Sequence, residues 1–257
     1  MAAWTAFSCS DEYSFDIARV KTDWNRLHAG DQEPLPQDER LLAAWALFHR
    51  GEFEHAAELG TQAGLAGITV VSKATCVYAN YIEPREKVRL RLFLDVADRA
   101  ATLAMSEPDN ANAYYWQAYA LGRYSQGISV AKALAQGIGG KVKSALEKAI
   151  GLQPRHADAH IALGAFHAEV IDKVGALIAN MTYGAKKEVS LNLFERALAL
   201  VPQSAIARIE YANALVILEG DKRAAEATRY YEQAAGVRAL DATERLDVGV
   251  AQTELAG

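Results

Sequence analysis

Several things are scarce in this chain of 257 residues, and each scarcity excludes something. Cysteine occurs twice, at Cys9 and Cys76. Two thiols cannot build a disulfide framework, and they fit a reducing compartment. Proline occurs only six times, so helices are seldom interrupted. No apolar run reaches the roughly 18 residues that a membrane-spanning helix needs. The opening stretch, MAAWTAFSCSDEYSF, carries neither a basic leader nor an apolar core. Neither secretion nor a lipid anchor at Cys9 is therefore expected, and a soluble cytoplasmic protein is. Positive charge is not in excess, since the net charge is −5. That gives no whole-molecule attraction to nucleic acid. Alternating apolar and polar residues, the strand signature, are missing too. So are the GxSxG, CxxC and HExxH patterns and any paired-carboxylate signature, so neither catalysis nor a cofactor is expected.

Alanine, by contrast, is abundant, and it recurs with leucine and glutamate at spacings of three and four. That is the helical period, and it predicts an all-α protein. The helices repeat. SEPDNANAYYWQAYALGRY (106–124), LQPRHADAHIALGAFHAEV (152–170) and LVPQSAIARIEYANALVIL (200–218) each place a proline, two polar residues and then a helical pattern. The prolines Pro108, Pro154 and Pro202 stand 46 and 48 residues apart. Before two of them, SALEKAIGLQP and LNLFERALALVP close an amphipathic helix.

This pattern is similar to the tetratricopeptide repeat, an antiparallel helix pair of roughly 34 residues. Small residues in such pairs let the helices approach, and larger ones fill the space between them. Ala149 and Ala197, Leu146 and Phe194, and Gly164 and Ala212 take those places. Ala227, Tyr231 and Ala234 repeat the second-helix spacing, and Ala44, Leu47, the Gly51-Glu52-Phe53 turn and Ala56 fit an N-terminal pair. The reading is a right-handed superhelical solenoid of about four such hairpins, at roughly 37–107, 108–153, 154–201 and 202–239. Residues 1–36 form an N-terminal segment, with Trp4, Phe7, Tyr13, Phe15 and Trp24 capping the first repeat or meeting a partner, and Gly30–Pro36 as linker. The repeat domain runs to residue 240. A closing helix over 241–257 is opened by Asp241 and Glu244 in capping-box spacing.

PRHADAHIALGAFHAEV holds three histidines, and His156 and His160 have the four-residue spacing that can chelate zinc. Yet the sister repeats put Tyr114 and Arg208 where His160 stands, and Leu121 and Leu215 where His167 stands. None of those is a metal ligand. The alternatives are packing, a ligand contact in a groove, or a metal, and no metal is expected.

The second and third repeats carry insertions of about 12 and about 14 residues, the fourth only about 3, and the first carries a long extra segment after its helix pair. TVVSKATCVYANYIEPREKVRLR, SQGISVAKALAQGIGGKVKS and IDKVGALIANMTYGAKKEVS each run from an apolar stretch through a break to basic residues. Those residues include Arg85, Lys87, Arg89 and Arg91, then Lys141 and Lys143, then Lys186 and Lys187. Cations near a helix start oppose its dipole. An anion bound there would explain them, as would pairing with Glu83, Glu86 or Glu188. The apolar parts form either an extra core layer or a pocket. Gly137-Ile138-Gly139-Gly140-Lys141 is not a phosphate loop, because Ala135 and Val142 break the pattern and no strand precedes it.

Ala113-Tyr114-Tyr115-Trp116, Ala120-Leu121-Gly122-Arg123 and Ala159-His160-Ile161-Ala162-Leu163-Gly164 before a long insertion resemble the regulator of microtubule dynamics family and its bacterial relatives. The resemblance spans roughly 37–240 and implies a non-catalytic scaffold or adaptor acting through protein partners, with lipid contact in some members. The alanine-rich composition suggests a bacterial source. The expected function is protein binding in a concave groove formed by Tyr114, Gln117, Leu121, His160, His167, Arg208, Tyr211 and Asn213. Asn213 would bond a peptide backbone. The alternative is a carrier of a small anionic amphiphile or lipid, its tail held by the insertions and its head met by Lys141, Lys143, Lys186 and Lys187.

Overall fold

A computed structural model of the chain describes residues 4–8 and 12–256, and Cys9 lies outside them. Among the described residues every regular element is a helix. They form two compact units. The first holds the chain up to His28, Gln32–Leu152 and Leu240–Thr243. The second holds Ala29–Asp31, Gln153–Ala239 and the residues from Glu244 on.

In the first unit, α1 (Ile17–Leu27) packs on α2 (Glu39–Arg50), which pairs with α3 (Phe53–Gln62). Next come α4 (Ile68–Tyr81) with α5 (Glu86–Ser106). The chain then forms α6 (Ala111–Gln126), the short α7 (Val130–Ala135) and α8 (Ile138–Leu152), with α6 and α8 as the pair. Local chemistry sets the ends. Asp16 and Asp38 accept backbone N–H groups at the starts of α1 and α2, each at 2.8 Å. Gly51, at φ 91°, ends α2 in the left-handed conformation that glycine adopts without strain.

The stretch 37–107, read from the sequence as one extended repeat, contains two helix pairs. The supposed insertion from residue 69 is α4, a core helix buried at Ile68–Ser72 and at Ala74–Ala79. A helix covered on nearly all sides shows no polar stripe, so its period is faint in the sequence. Its entry depends on two glycines: a Cβ on Gly67 would fall on the backbone carbonyl of Gly60.

The N-terminal aromatics lie on this unit. Trp4 stacks on Tyr78 with ring centroids 4.2 Å apart, and Phe7, Phe15 and Trp24 are buried. Gly30–Pro36 is not a free linker. The Glu33 carbonyl accepts the Trp24 indole N–H at 2.8 Å, and the Glu33 carboxylate accepts Asn112 Nδ2 at 2.6 Å. Asp241 begins the closing helix, but its carboxylate lies 2.7 Å from Nδ1 of the fully buried His49. Phe15, His28, Trp45 and Phe48 surround that imidazole.

The second unit contains α9 (Ala157–Val174), α10 (Ala176–Tyr183) and α11 (Lys187–Leu200), then α12 (Ala205–Glu219), α13 (Ala224–Ala235) and α14 (Ala242–Ala256). The helix α9 pairs with α11, and α12 with α13. Phe194 stacks on Tyr211 at 5.4 Å, and both are buried with Ala197, Ala212, Leu215 and Ala227. Gly164 makes the α9–α11 crossing possible, since a Cβ there would stand 2.9 Å from the Phe194 ring. Val248 and Ala251 of α14 pack against Ala205, Ile209 and Ala234.

Two glycine substitutions measure this close approach. Gly67→Ala should cost at least about 2 kcal/mol in urea unfolding, because the added methyl has no space. Gly122→Ala, in α6 with nothing within 4 Å of the new methyl, should instead stabilise by up to about 1 kcal/mol. Equal effects at both positions would refute the close-approach account.

Candidate functional site

The three histidines of the third repeat all serve the backbone. His156 is the N-cap of α9, and its Nδ1 accepts the Ala159 N–H at 3.1 Å. Its sisters do the same with ordinary capping residues. Asn110 accepts from Ala113 N–H and Ser204 from Ala207 N–H, each at 3.2 Å.

His160 has a parallel explanation. Its Nε2 lies 3.1 Å from the carbonyl of Pro154. At the equivalent places the Tyr114 hydroxyl donates to Pro108 at 3.1 Å, and Arg208 Nη2 donates to Pro202 at 2.6 Å. Three unlike side chains thus reach back six residues to the same proline carbonyl and close the turn before the helix. Arg208 adds bonds to Ser204 and to Gln233 on α13. Burial lowers the His160 pKa and favours the neutral imidazole that this role uses. His167 accepts the Lys186 N–H at Nδ1, 3.1 Å away, and so fixes the start of α11. Among the described residues no three histidine, cysteine, aspartate or glutamate side chains gather as a metal site.

The expected groove residues therefore divide. His160, His167 and Tyr211 are buried and belong to packing, a correction to their reading as groove surface. Tyr211 lies between Phe194 and Tyr230. Tyr114, Gln117 and Leu121 of α6 are half-buried along one stripe. Arg208 and Asn213 are half-buried on α12, at positions about 140° apart around the helix. The Asn213 carbonyl accepts the Tyr231 hydroxyl, so one side of its amide is already used. Val216 and Ile217, absent from the sequence-derived set, are exposed within one turn of Asn213.

The basic residues divide as well. Arg85 does not await an anion. It grips the buried Glu83 carboxylate through Nε at 2.7 Å and Nη2 at 2.8 Å, while Tyr78 O–H donates to the same carboxylate at 2.8 Å. Lys143 pairs with Glu147 at 2.5 Å, and Lys187 with Glu219 at 2.9 Å. Lys141 and Lys186 are exposed and make no ion pair among the described residues. The first insertion is the core helix α4, whereas α7 and α10 add little to the core. Val130 and Leu134 of α7, and Leu177, Ile178 and Met181 of α10, are exposed. Nor do these side chains enclose a ligand tail, since they point outward. Cys76 is buried, which pushes its thiol pKa up and leaves it unreactive.

A model of the family described as regulator of microtubule dynamics protein 1-3 matches residues 67–249. No curated protein matches the chain. Among solved structures, it is similar to TTC0263, a thermophilic TPR protein of Thermus thermophilus. The identity is 17% and the TM-score 0.57, covering 83% of this chain and 97% of that one. It is also similar to MamA protein, at 16% identity and a TM-score of 0.41, over 76% of this chain and 87% of that one. The first likeness supports the tetratricopeptide fold.

Two measurements check the site chemistry. His156→Ala should cost about 1–2 kcal/mol, while His156→Asn, which can still cap, should recover at least half of that. Equal losses, or a melting temperature lowered by a chelator, would return the metal reading. Arg85 holds Glu83 down to about 2, below its ordinary 4.5. The stability this contributes is complete above pH 4.5 and is lost as the pH falls toward 2. Glu83→Gln should lower stability at neutral pH by about 1–3 kcal/mol. It should also flatten the acid limb of a stability-against-pH curve.

Proposed function

We propose, from the premise that this chain belongs to the regulator of microtubule dynamics protein 1-3 family, that it is a non-catalytic interaction protein. The tetratricopeptide fold supports a protein-binding or scaffold role in general. Its partner is an extended peptide or a helix, taken on the first helices of the pairs.

The observation that carries this reading is the surface of α12. Asn213, Val216 and Ile217 recur at helical spacing, and the two aliphatic side chains are 51% and 38% exposed. Tyr231 orients the Asn213 carbonyl inward and leaves the amide N–H₂ to donate to a peptide carbonyl. Apolar contact beside an oriented amide suits a peptide that offers both a side chain and a main chain. In the first unit, Gln117 and Leu121 repeat the combination one turn apart on α6. No helix among the described residues is long and apolar enough to cross a membrane.

Site-specific photocrosslinking tests the assignment. A photoreactive residue at Ile217 or Leu121 should capture the partner, and one at the exposed Arg91 of α5 should not. Ile217→Asp should weaken partner capture on the order of tenfold, as loss of an apolar interface anchor does. Capture from Arg91 alone would move the interface to the second helices.

A further inference from the structure

Residues 4–7 lie on the first unit in the manner of a bound peptide. They form no helix, and two side chains and two backbone N–H groups hold them. The Trp4 indole stacks on the Tyr78 ring of α4, with centroids 4.2 Å and planes 12° apart. Three residues on, Phe7 is buried beside Phe53, with ring centroids 6.1 Å apart. Gly51 makes room for it, since a Cβ there would stand 2.3 Å from the Phe7 ring. The Trp4 N–H donates to Glu54 Oε1 at 3.1 Å, and the Thr5 N–H donates to the Tyr78 hydroxyl at 3.3 Å. Thr5, Ala6 and Ser8 are exposed.

The receiving surface is organised from behind. The Tyr78 hydroxyl donates to the buried Glu83 carboxylate, which Arg85 keeps ionised. An ionised carboxylate has no hydrogen to give, so the hydroxyl oxygen keeps its lone pairs for another donor. That donor is the Thr5 N–H. Side chains outside the segment thus hold an acceptor where an extended chain passes. An apolar cap over the first helices needs no such acceptor, and burying the Glu83 charge favours folding little by itself. Both main-chain bonds end on side chains of α3 and α4, so they suit any extended backbone with N–H groups at those two places.

We infer that this surface is a recognition site for an extended segment of a partner protein, which residues 4–7 occupy as a tethered competitor. The partner segment carries a tryptophan or tyrosine and, three positions later, a phenylalanine. Proline is excluded at its first two positions, because both N–H groups are used. The third is free, as the exposed Ala6 shows. A tethered occupant acts at an effective concentration of about a millimolar, so a partner must exceed that competition to enter. The site uses no residue of the α6 and α12 surfaces and stands independently of them.

The test is fluorescence anisotropy with a labelled, acetylated peptide AAWTAFS, which copies residues 2–8. It is added to the full parent chain and to the full-length double variant Trp4→Ala, Phe7→Ala. The double variant should keep its helical circular dichroism and bind the peptide saturably, at least about tenfold more tightly than the parent does. Methylating the peptide's threonine nitrogen should weaken binding several-fold. In a triple variant that adds Tyr78→Phe, the methyl group should make no difference, an outcome that a merely structural role for Tyr78 does not give. No binding by the double variant overturns the inference, as does equal binding by parent and double variant. Loss of helical structure in the double variant overturns it too, because the segment is then part of the core. Self-association of the parent that the double variant lacks assigns the occupant to a second copy of the chain instead.

Discussion

The fold depends on helix backbones coming close enough that little more than a hydrogen or a methyl group fits between them. The chain's taste for alanine follows from this. Ala44, Ala56, Ala149, Ala197 and Ala212 are all fully buried, each at a crossing. Where even a methyl is too large, glycine takes over, as at Gly164 under the Phe194 ring and at Gly67 against the Gly60 carbonyl. Close approach leaves the large side chains to fill the space between pairs, and Leu146, Phe194 and Tyr211 do so. It also makes the angle at each turn critical, because a small error there separates the helices.

That demand explains the histidines better than any ligand does. A turn that must hold its angle needs its free backbone groups tied. Each of the three later pairs ties one N–H with a cap and one proline carbonyl with a reaching side chain. Asparagine, serine and histidine all offer an acceptor of suitable reach, while tyrosine, histidine and arginine all offer a donor. Residue identity can therefore drift while the bond persists. A cluster of histidines in one repeat arises where that repeat solved both tasks with imidazole.

Much of the fold was legible because spacing survives in one dimension. Ala149, Leu146, Phe194, Gly164 and Ala212 sit where the repeat pattern requires, and their burial follows. The pair α4–α5 was not legible as a pair. Its first helix lacks a polar stripe, and no proline marks its start. The turn-closing bond was visible in principle, because Pro108–Tyr114, Pro154–His160 and Pro202–Arg208 share one offset. Without coordinates the offset looks like part of the repeat, and the residue types look unrelated. Pairing of Arg85 with Glu83 was among the sequence alternatives. The pinning of Glu33 by Trp24 and Asn112 was not, since one bond uses the backbone carbonyl of Glu33 and the other reaches a side chain 79 residues away.

The connecting helices mark the limit of such reading, for a physical reason. Periodicity reports that apolar residues share a side, but not which way that side faces. In α11 the shared side turns inward, and Phe194 and Ala197 are buried. In α10 it turns outward, although α10 carries no charged residue and α11 carries four. Within the pairs, packing accounts for most of the residue choices, Val216 and Ile217 of α12 being exceptions. At α7 and α10 packing accounts for almost none of them. The large exposed side chains add nothing to the core, and they lower solubility in water. Residues that the fold does not need, and that water opposes, are the part of this sequence where selection for an external surface is most directly visible.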